Sequence, residues 1–146
     1  MTDVSQRGAW KDEWYVVPYD VLFSDLDYFG HVNNALYIRY FETARTDLWF
    51  TITGTRRPLD IGFIVARAEC DFKKQINLER IEIAVRFGEL GNTSIAFLYE
   101  IRKNDGRDIA ATGKVVVVLY DWARQSKVAI SDELRRTIAA CSPDVY

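Results

Sequence analysis

The pattern of apolar and polar residues predicts one long helix in the first half of the chain. From Ala35 to about Phe50, apolar residues recur every three or four positions, which is the spacing of one helix face. That face consists of Tyr37, Tyr40, Phe41, Ala44 and Leu48. Four charged residues lie away from it: Arg39, Glu42, Arg45 and Asp47. The apolar surface is widened beyond that of an ordinary surface helix by Leu36, Ile38, Trp49 and Phe50, which predicts a helix that is wrapped by the rest of the chain. Because Glu42 lies three residues from each arginine, we expect it to form salt bridges. Gly54 and Pro58 are expected to end the helix.

The sequence predicts strands before and after this helix in the chain. After residue 63, apolar and polar residues alternate with a period of two. The predicted strands lie at 14–23, 63–73, 81–87, 93–101 and 109–120. In the second of them, one face is predicted to carry Ile64, Ala66, Ala68, Cys70 and Phe72. The hairpin signal Asn104-Asp105-Gly106 precedes the last strand. That strand is apolar on both faces at 115–119, so we expect it to be central or at a subunit contact.

The order of these elements predicts a fold of the α+β class. A strand, a long helix and then four strands in a meander fit one antiparallel five-stranded sheet wrapped around a long central helix. Ser131, followed by two acids, predicts the N-cap of a short C-terminal helix. We expect residues 1–146 to form a single domain with a mobile N-terminus at 1–12. One sheet around one helix leaves edges and a face open, which favours pairing of subunits.

Composition excludes several classes of function. The net charge of −2 leaves no electrostatic footprint for nucleic acid. No apolar run approaches the roughly 20 residues of a membrane span, and the polar N-terminus lacks the apolar core of a signal peptide. Cys70 and Cys141 have no partner motif, and a single histidine excludes a multi-histidine metal site within one chain. We therefore expect a cytoplasmic protein without a metal.

The candidate chemistry is concentrated just before the long helix. Residues 23–37 contain two acids, a glycine, the only histidine and two adjacent asparagines. Such a loop places a carboxylate beside the free backbone N–H groups of a helix start. Hydrolysis of an activated acyl group requires both of these features.

This loop and the helix after it resemble those of a known family. The run Asp-Leu-Asp-Tyr-Phe-Gly-His-Val-Asn-Asn-Ala-Leu-Tyr, leading into Arg-Tyr-Phe-Glu-Thr-Ala-Arg-Thr, resembles the hotdog-fold thioesterases, and their 4-hydroxybenzoyl-CoA thioesterase-like branch most of all. The resemblance covers about residues 14–122. It implies a hotdog fold and hydrolysis of acyl-CoA to a free acid and CoA without a cofactor. It further implies a homodimer at least, with active sites at the dimer interface, and leaves a dimer of dimers open.

The resemblance assigns catalytic roles to three residues. Asp27 aligns with the catalytic carboxylate, as a general base or as a nucleophile; the alternative is a structural Asx-turn or N-cap acid. The backbone amide of Asn34 aligns with the group that polarises the thioester carbonyl, while its side chain caps the helix or takes part in the site. His31 either contacts water and the thioester or holds the loop. Asp25 matches a non-catalytic acid, for which we expect a structural role.

Further residues are predicted to contact the substrate. Gly30 permits a tight turn or a positive φ, which lets the backbone approach the thioester. Asn33 lies at the helix start. Tyr37 and Phe63 are candidates for an acyl pocket, although most aromatics at such positions are core residues. Two adjacent cations, Lys73 and Lys74, are candidates for the CoA phosphates.

Other functions stay open at this point. An acyl-carrier-protein thioesterase shares the thioester and the pantetheine arm. A hotdog hydratase requires an acid–histidine pair that the spacing here does not match. A non-catalytic acyl-CoA-binding module is the alternative that is not an enzyme. The acyl group itself is not identified by the sequence.

Overall fold

The computed structural model describes residues 7–55 and 62–141. Its elements in chain order are β1 (Ala9–Lys11), β2 (Trp14–Asp20), a short 3₁₀ helix (Phe23–Asp25), α1 (Leu36–Thr53), β3 (Phe63–Phe72), β4 (Arg80–Leu90), β5 (Ser94–Lys103), β6 (Asp108–Asp121), β7 (Ser126–Lys127) and α2 (Asp132–Cys141). Gly54 ends α1 at a φ of 72°, as predicted. Pro58 lies outside the described residues.

The strands form one antiparallel sheet wrapped around α1, which confirms the predicted hotdog fold. Their order is β1-β2-β4-β5-β6-β3, with β7 paired to β6. The predicted four-strand meander is wrong for its first strand, because β3 pairs with β6 instead of its sequence neighbour β4. The five predicted strands are β2 to β6, and the two short strands β1 and β7 raise the total in the described residues to seven. β6 lies between β5 and β3, which confirms the prediction that the strand with the apolar Val115–Leu119 stretch is central.

The core lies between α1 and the inner face of the sheet. Phe41 and Leu48 of the helix are fully buried, as are Phe97 and Ile83 of the sheet. The ring of Phe41 stacks on that of Tyr99 with centroids 4.3 Å apart. This layer confirms the apolar helix face that the three- and four-residue spacing predicts.

Two of the charged residues that lie away from the apolar face of α1 are buried. Arg45 is only 5% exposed and donates from Nη1 to the Tyr99 hydroxyl at 3.1 Å. Asp47 is only 7% exposed. Glu42 is exposed and forms no salt bridge with any residue that the structure describes, so the expected bridges to the arginines are absent there. A sheet that wraps around the helix covers more of its circumference than one flat layer would, and charged positions are covered with it.

Asp47 holds the segment before β2. Its carboxylate accepts hydrogen bonds from the Gly8 N–H at 2.8 Å and the Tyr15 hydroxyl at 2.7 Å. Residues 9–11 pair with β2 as a strand. The expected mobile N-terminus therefore does not extend over these residues, while residues 1–6 lie outside the described part of the chain.

A bulge in β3 changes which residues face the core. Val65 pairs with Val117 and Arg67 pairs with Val116, so Ala66 is an extra residue in the ladder. Ile64 therefore lies on the opposite face from Ala68, and the predicted single face from residue 64 to residue 72 is wrong. β3 ends the strand order, and much of it is exposed.

The remaining predicted features agree with the structure. The Ser131 hydroxyl accepts the Leu134 N–H at 3.1 Å at the start of α2. Asn104, Asp105 and Gly106 all adopt positive φ in the hairpin between β5 and β6. Within the described ranges, no helix combines the length and the apolar character needed to cross a membrane.

Candidate active site

The loop before α1 is closed by a compact turn. The Asp27 N–H donates to the His31 carbonyl at 2.8 Å, and the Gly30 N–H donates to the Asp27 carbonyl at 3.0 Å. Gly30 adopts a φ of 81°, which confirms the prediction that this position requires glycine's conformational freedom. The turn thus brings Asp27 and His31 together across four residues.

The Asp27 carboxylate is held on one side only. Its Oδ1 accepts the Phe29 N–H at 2.9 Å and the His31 N–H at 3.5 Å. The first of these bonds is the Asx turn of the structural alternative. Oδ2 accepts no hydrogen bond from any described residue, and the side chain is exposed. The same acid can therefore order the loop through one oxygen and present the other to a ligand.

The start of α1 leaves one backbone donor unpaired. The Asn33 side chain, rather than that of Asn34, accepts the Ala35 N–H at 3.0 Å and caps the turn. The Asn33 N–H donates to the Asp25 carbonyl at 3.0 Å. For the Asn34 N–H, the described residues provide no acceptor. An orphan N–H at a helix start is a donor for a ligand oxygen.

A cavity of about 270 Å³ opens in front of these groups. Its walls are formed by Asp27, His31, Val32, Asn34, Tyr37, Phe72, Lys73, Lys74 and Gln75. Six of the nine predicted site residues therefore meet in one place. The His31 imidazole makes no hydrogen bond within the described residues, so it does not hold the loop through a side-chain bond there.

The two lysines of the cavity differ in their surroundings. Both backbone N–H groups donate to the Ala110 carbonyl, at 2.8 Å for Lys73 and 3.0 Å for Lys74. The Lys74 ammonium pairs with Asp108 at 3.1 Å. Hydrogen bonds from Asn104 and Lys74 lower the pKa of Asp108. The Lys73 ammonium has no ion-pair partner in the part of the chain that the structure describes. Of the two lysines, Lys73 is therefore the one available to bind an anionic ligand group.

Three predicted residues lie outside the cavity walls. Gly30 and Asn33 shape the loop and the helix start without lining the cavity. Phe63 lies at the opposite end of β3 from Phe72. Its ring packs edge-on against Trp49 at 5.2 Å and lies under the Arg45 guanidinium at 5.8 Å. Phe63 is thus a core residue of this chain, as most aromatics with strand periodicity are.

The sequence analysis missed three wall residues: Val32, Phe72 and Gln75. Phe72 was assigned to an apolar strand face, yet half of its surface is exposed and its ring contacts Tyr37 edge-on at 4.9 Å. Its position directly before two lysines was the available signal. Among the residues described, no cluster of three or more His, Cys, Asp or Glu side chains is arranged to hold a metal.

Comparisons with known proteins place the chain in a family. Residues 21–138 match the model of the thioesterase-like superfamily. YsmA, an uncharacterized protein of Bacillus subtilis strain 168, is 29% identical over 119 residues, which cover 81% of this chain and 80% of YsmA.

Two solved structures are similar over almost the whole domain. A thioesterase from Thermus thermophilus, complexed with coenzyme A and zinc, is 31% identical with a TM-score of 0.78, over 90% of this chain and 95% of that one. A predicted thioesterase from Bacillus stearothermophilus has a TM-score of 0.81 at 22% identity, over 88% of this chain and 96% of that one. This second similarity is one of fold. Because its residues 21–138 match the family model, this chain belongs to the thioesterase-like superfamily.

Proposed function

We propose that this chain is a cytoplasmic thioester hydrolase that converts acyl-CoA and water into a free carboxylic acid and CoA. One observation carries the proposal: Asp27 and Asn34 line the same cavity. Within the described residues, Oδ2 of Asp27 and the backbone N–H of Asn34 have no hydrogen-bond partner. A base or nucleophile and a hydrogen-bond donor are the two groups that thioester hydrolysis requires.

The chemistry follows from these two groups. Asp27 removes a proton from water as the water oxygen bonds to the acyl carbon, or its own oxygen attacks that carbon. In either route the carbonyl electron pair moves onto oxygen, where the Asn34 N–H donates a hydrogen bond. The carbonyl then re-forms and the carbon–sulfur bond breaks. In the first route Asp27 returns its proton to the departing CoA sulfur, and the free acid leaves. In the second route CoA leaves as a thiolate that takes a proton from solvent, and water cleaves the mixed anhydride on Asp27, which frees the acid and restores the carboxylate. His31 lies on the same cavity wall, where it can contact the water or the thioester.

Features of the cavity also support the proposal that CoA is the group that carries the acyl chain. The Lys73 ammonium is suited to a phosphate of the nucleotide, and the T. thermophilus relative was solved with coenzyme A. We propose that the enzyme is a homodimer at least, with assembly into a dimer of dimers as the larger form. The exposed edge strand β3 and the exposed wall residue Phe72 leave room for a second subunit beside the site.

The test is thiol release from a panel of acyl-CoAs with short, medium, branched and aromatic acyl groups. Wild type is compared with Asp27→Asn, which keeps an amide oxygen for the Phe29 N–H and so preserves the turn. Asp20→Asn is the matched control, because Asp20 is an exposed acid outside the cavity that pairs with Arg80 at 3.6 Å. Blanks without substrate correct for the two cysteines of the protein.

We expect turnover by wild type and by Asp20→Asn, and a loss of about 100-fold or more in Asp27→Asn. An unchanged rate in Asp27→Asn would overturn the role of that acid. Failure of wild type on every acyl-CoA would overturn the proposed substrate class. Thioesters of one acyl chain on CoA and on an acyl-carrier protein, measured side by side, separate the two carriers.

A further inference from the structure

Tyr37 is a buried polar residue at the wall of the cavity. Its side chain is 3% exposed, and it lines the same cavity as Asp27 and Asn34. The ring is held edge-on by Phe72 at 4.9 Å and lies 6.3 Å from the ring of Tyr40. These contacts keep the aromatic ring in place without using the hydroxyl.

The Tyr37 hydroxyl has no hydrogen-bond partner within the described residues. The other deeply buried tyrosines all have one: Tyr40 donates to Asp25, Tyr15 donates to Asp47, and Tyr99 accepts from Arg45. Among the described residues, the fully buried side-chain nitrogen and oxygen atoms without a partner are the Nε atoms of Arg45 and Arg86, so the Tyr37 oxygen is open to solvent rather than sealed in the core. The unused hydroxyl of Tyr37 is therefore available to a ligand in the cavity.

The position of Tyr37 relative to Asn34 narrows the choice of ligand atom. The Tyr37 N–H donates to the Asn34 carbonyl at 3.3 Å, so the two residues are one turn apart at the start of α1. Asn34 and Tyr37 line the same cavity. An oxygen in that cavity that accepts from the Asn34 N–H is therefore in a space that Tyr37 also borders.

We propose that the Tyr37 hydroxyl is a second hydrogen-bond donor to the thioester carbonyl oxygen and acts as a catalytic residue together with the Asn34 N–H. The inference rests on the proposed function. As the new bond to the acyl carbon forms, the carbonyl oxygen becomes an oxyanion and accepts both hydrogen bonds. Tyr37 keeps its proton throughout, and the negative charge returns through the re-formed carbonyl as the carbon–sulfur bond breaks.

The surroundings of Tyr37 favour a donor over a proton carrier. Burial raises the pKa of the Tyr37 hydroxyl, and the nearby Cys70 and Glu79 raise it further. The hydroxyl therefore stays protonated throughout the neutral range. Donors of this kind act on the charge that develops in the transition state, so they affect kcat more than substrate binding.

The test is Tyr37→Phe, measured for kcat, KM and the free energy of unfolding, beside wild type and Asp27→Asn. We expect kcat to fall about 10- to 100-fold with KM changed by less than about twofold. The free energy of unfolding should stay equal or rise, because no hydrogen bond within the described residues is lost. Tyr28→Phe is the matched control, because it removes a hydroxyl from a tyrosine that is 98% exposed and lies in the loop that carries Asp27. Its kcat should stay at the wild-type value.

Several results overturn the inference. An unchanged kcat excludes the hydroxyl from catalysis, and a raised KM at constant kcat makes it a binding group for another part of the substrate. A fall in stability that parallels the fall in activity makes it a structural group. If wild type turns over and Asp27→Asn does not, the proposed function stands whatever Tyr37→Phe does; if wild type does not turn over, both proposals fail.

Discussion

The hydroxyl of Tyr40 donates a 2.8 Å hydrogen bond to the buried carboxylate of Asp25, fifteen residues earlier in the chain. The same carboxylate accepts the Leu22 N–H at 3.1 Å. The Asp25 carbonyl accepts the N–H of Asn33, the residue before Asn34. Asp25 thus ties the loop to the second turn of α1 through its side chain, and through its carbonyl it holds the residue that precedes Asn34, the proposed oxyanion donor. These bonds agree with the structural role predicted for Asp25.

Tyr40→Phe should destabilise the fold. The substitution leaves the buried Asp25 carboxylate with one donor fewer, at an expected cost of about 1–3 kcal/mol in the free energy of unfolding. Urea denaturation measures this loss. Tyr37→Phe is the control, because the same atom is removed from a hydroxyl without a partner in the described residues. Equal free energies for the two variants would contradict the importance of the Asp25–Tyr40 bond.

Stability should decline above pH 10. Burial raises the pKa of Tyr99 to about 12, and burial together with Asp25 raises that of Tyr40. A raised pKa in the folded state means that the contribution of each group is fully present below the unfolded pKa of about 10 and is lost as pH rises further. Each such group steepens the decline by about 1.4 kcal/mol per pH unit. Urea denaturation at several pH values should show a shallower decline for Tyr40→Phe than for wild type; parallel curves would contradict the assignment.

Gly30→Ala should reduce both stability and activity. Gly30 and Gly54 have φ values of 81° and 72°, and a Cβ added at either would meet no atom within 4 Å. We expect each alanine substitution to cost about 1 kcal/mol, through backbone conformation alone. Because Gly54 lies at the far end of α1, only Gly30→Ala should also lower kcat/KM. Equal activity in the two variants would show that the turn at Gly30 does not position Asp27.

Gly113→Ala should be poorly tolerated in β6. A Cβ at this position would overlap the ring of Phe41 and approach the Glu69 carbonyl oxygen to 2.9 Å. The expected cost is about 1–3 kcal/mol, as for other overpacked cores. At Gly88 the nearest atoms are 3.3 Å away, so Gly88→Ala should cost less. Thermal unfolding ranks the two, and the reverse order would contradict the close approach of α1 to β6.

Lys73→Ala should raise the KM for acyl-CoA more than Lys74→Ala does. Lys74 already pairs with Asp108, whereas Lys73 has no such partner in the described residues. The expected difference is about 1 kcal/mol in binding, or roughly fivefold in KM, and it should shrink at high salt. Steady-state kinetics at two ionic strengths measure it. Equal KM values would contradict this division between the two lysines.

The sequence by itself determined the elements of this protein and pointed to the loop that carries the proposed site. The three- and four-residue spacing identified α1, and the period of two after residue 63 identified β3 to β6 to within a few residues. The strand predicted at residues 14–23 is β2. Gly30 and the Asn104-Asp105-Gly106 hairpin were read correctly because their backbone conformation depends on local sterics. The clustering of Asp27, His31 and Asn34 near a helix start was likewise a local feature.

Only the tertiary structure decided which of these residues have partners. β3 leaves its sequence neighbour β4 and pairs with β6, and a bulge at Ala66 reverses the faces of its first residues. Arg45 and Asp47 are buried because the sheet wraps around α1. Lys73 and Lys74 meet Asp27 only once β3 returns to the start of that helix. Periodicity reports the local geometry of a backbone, whereas burial and hydrogen-bond partners depend on segments that are distant in the chain.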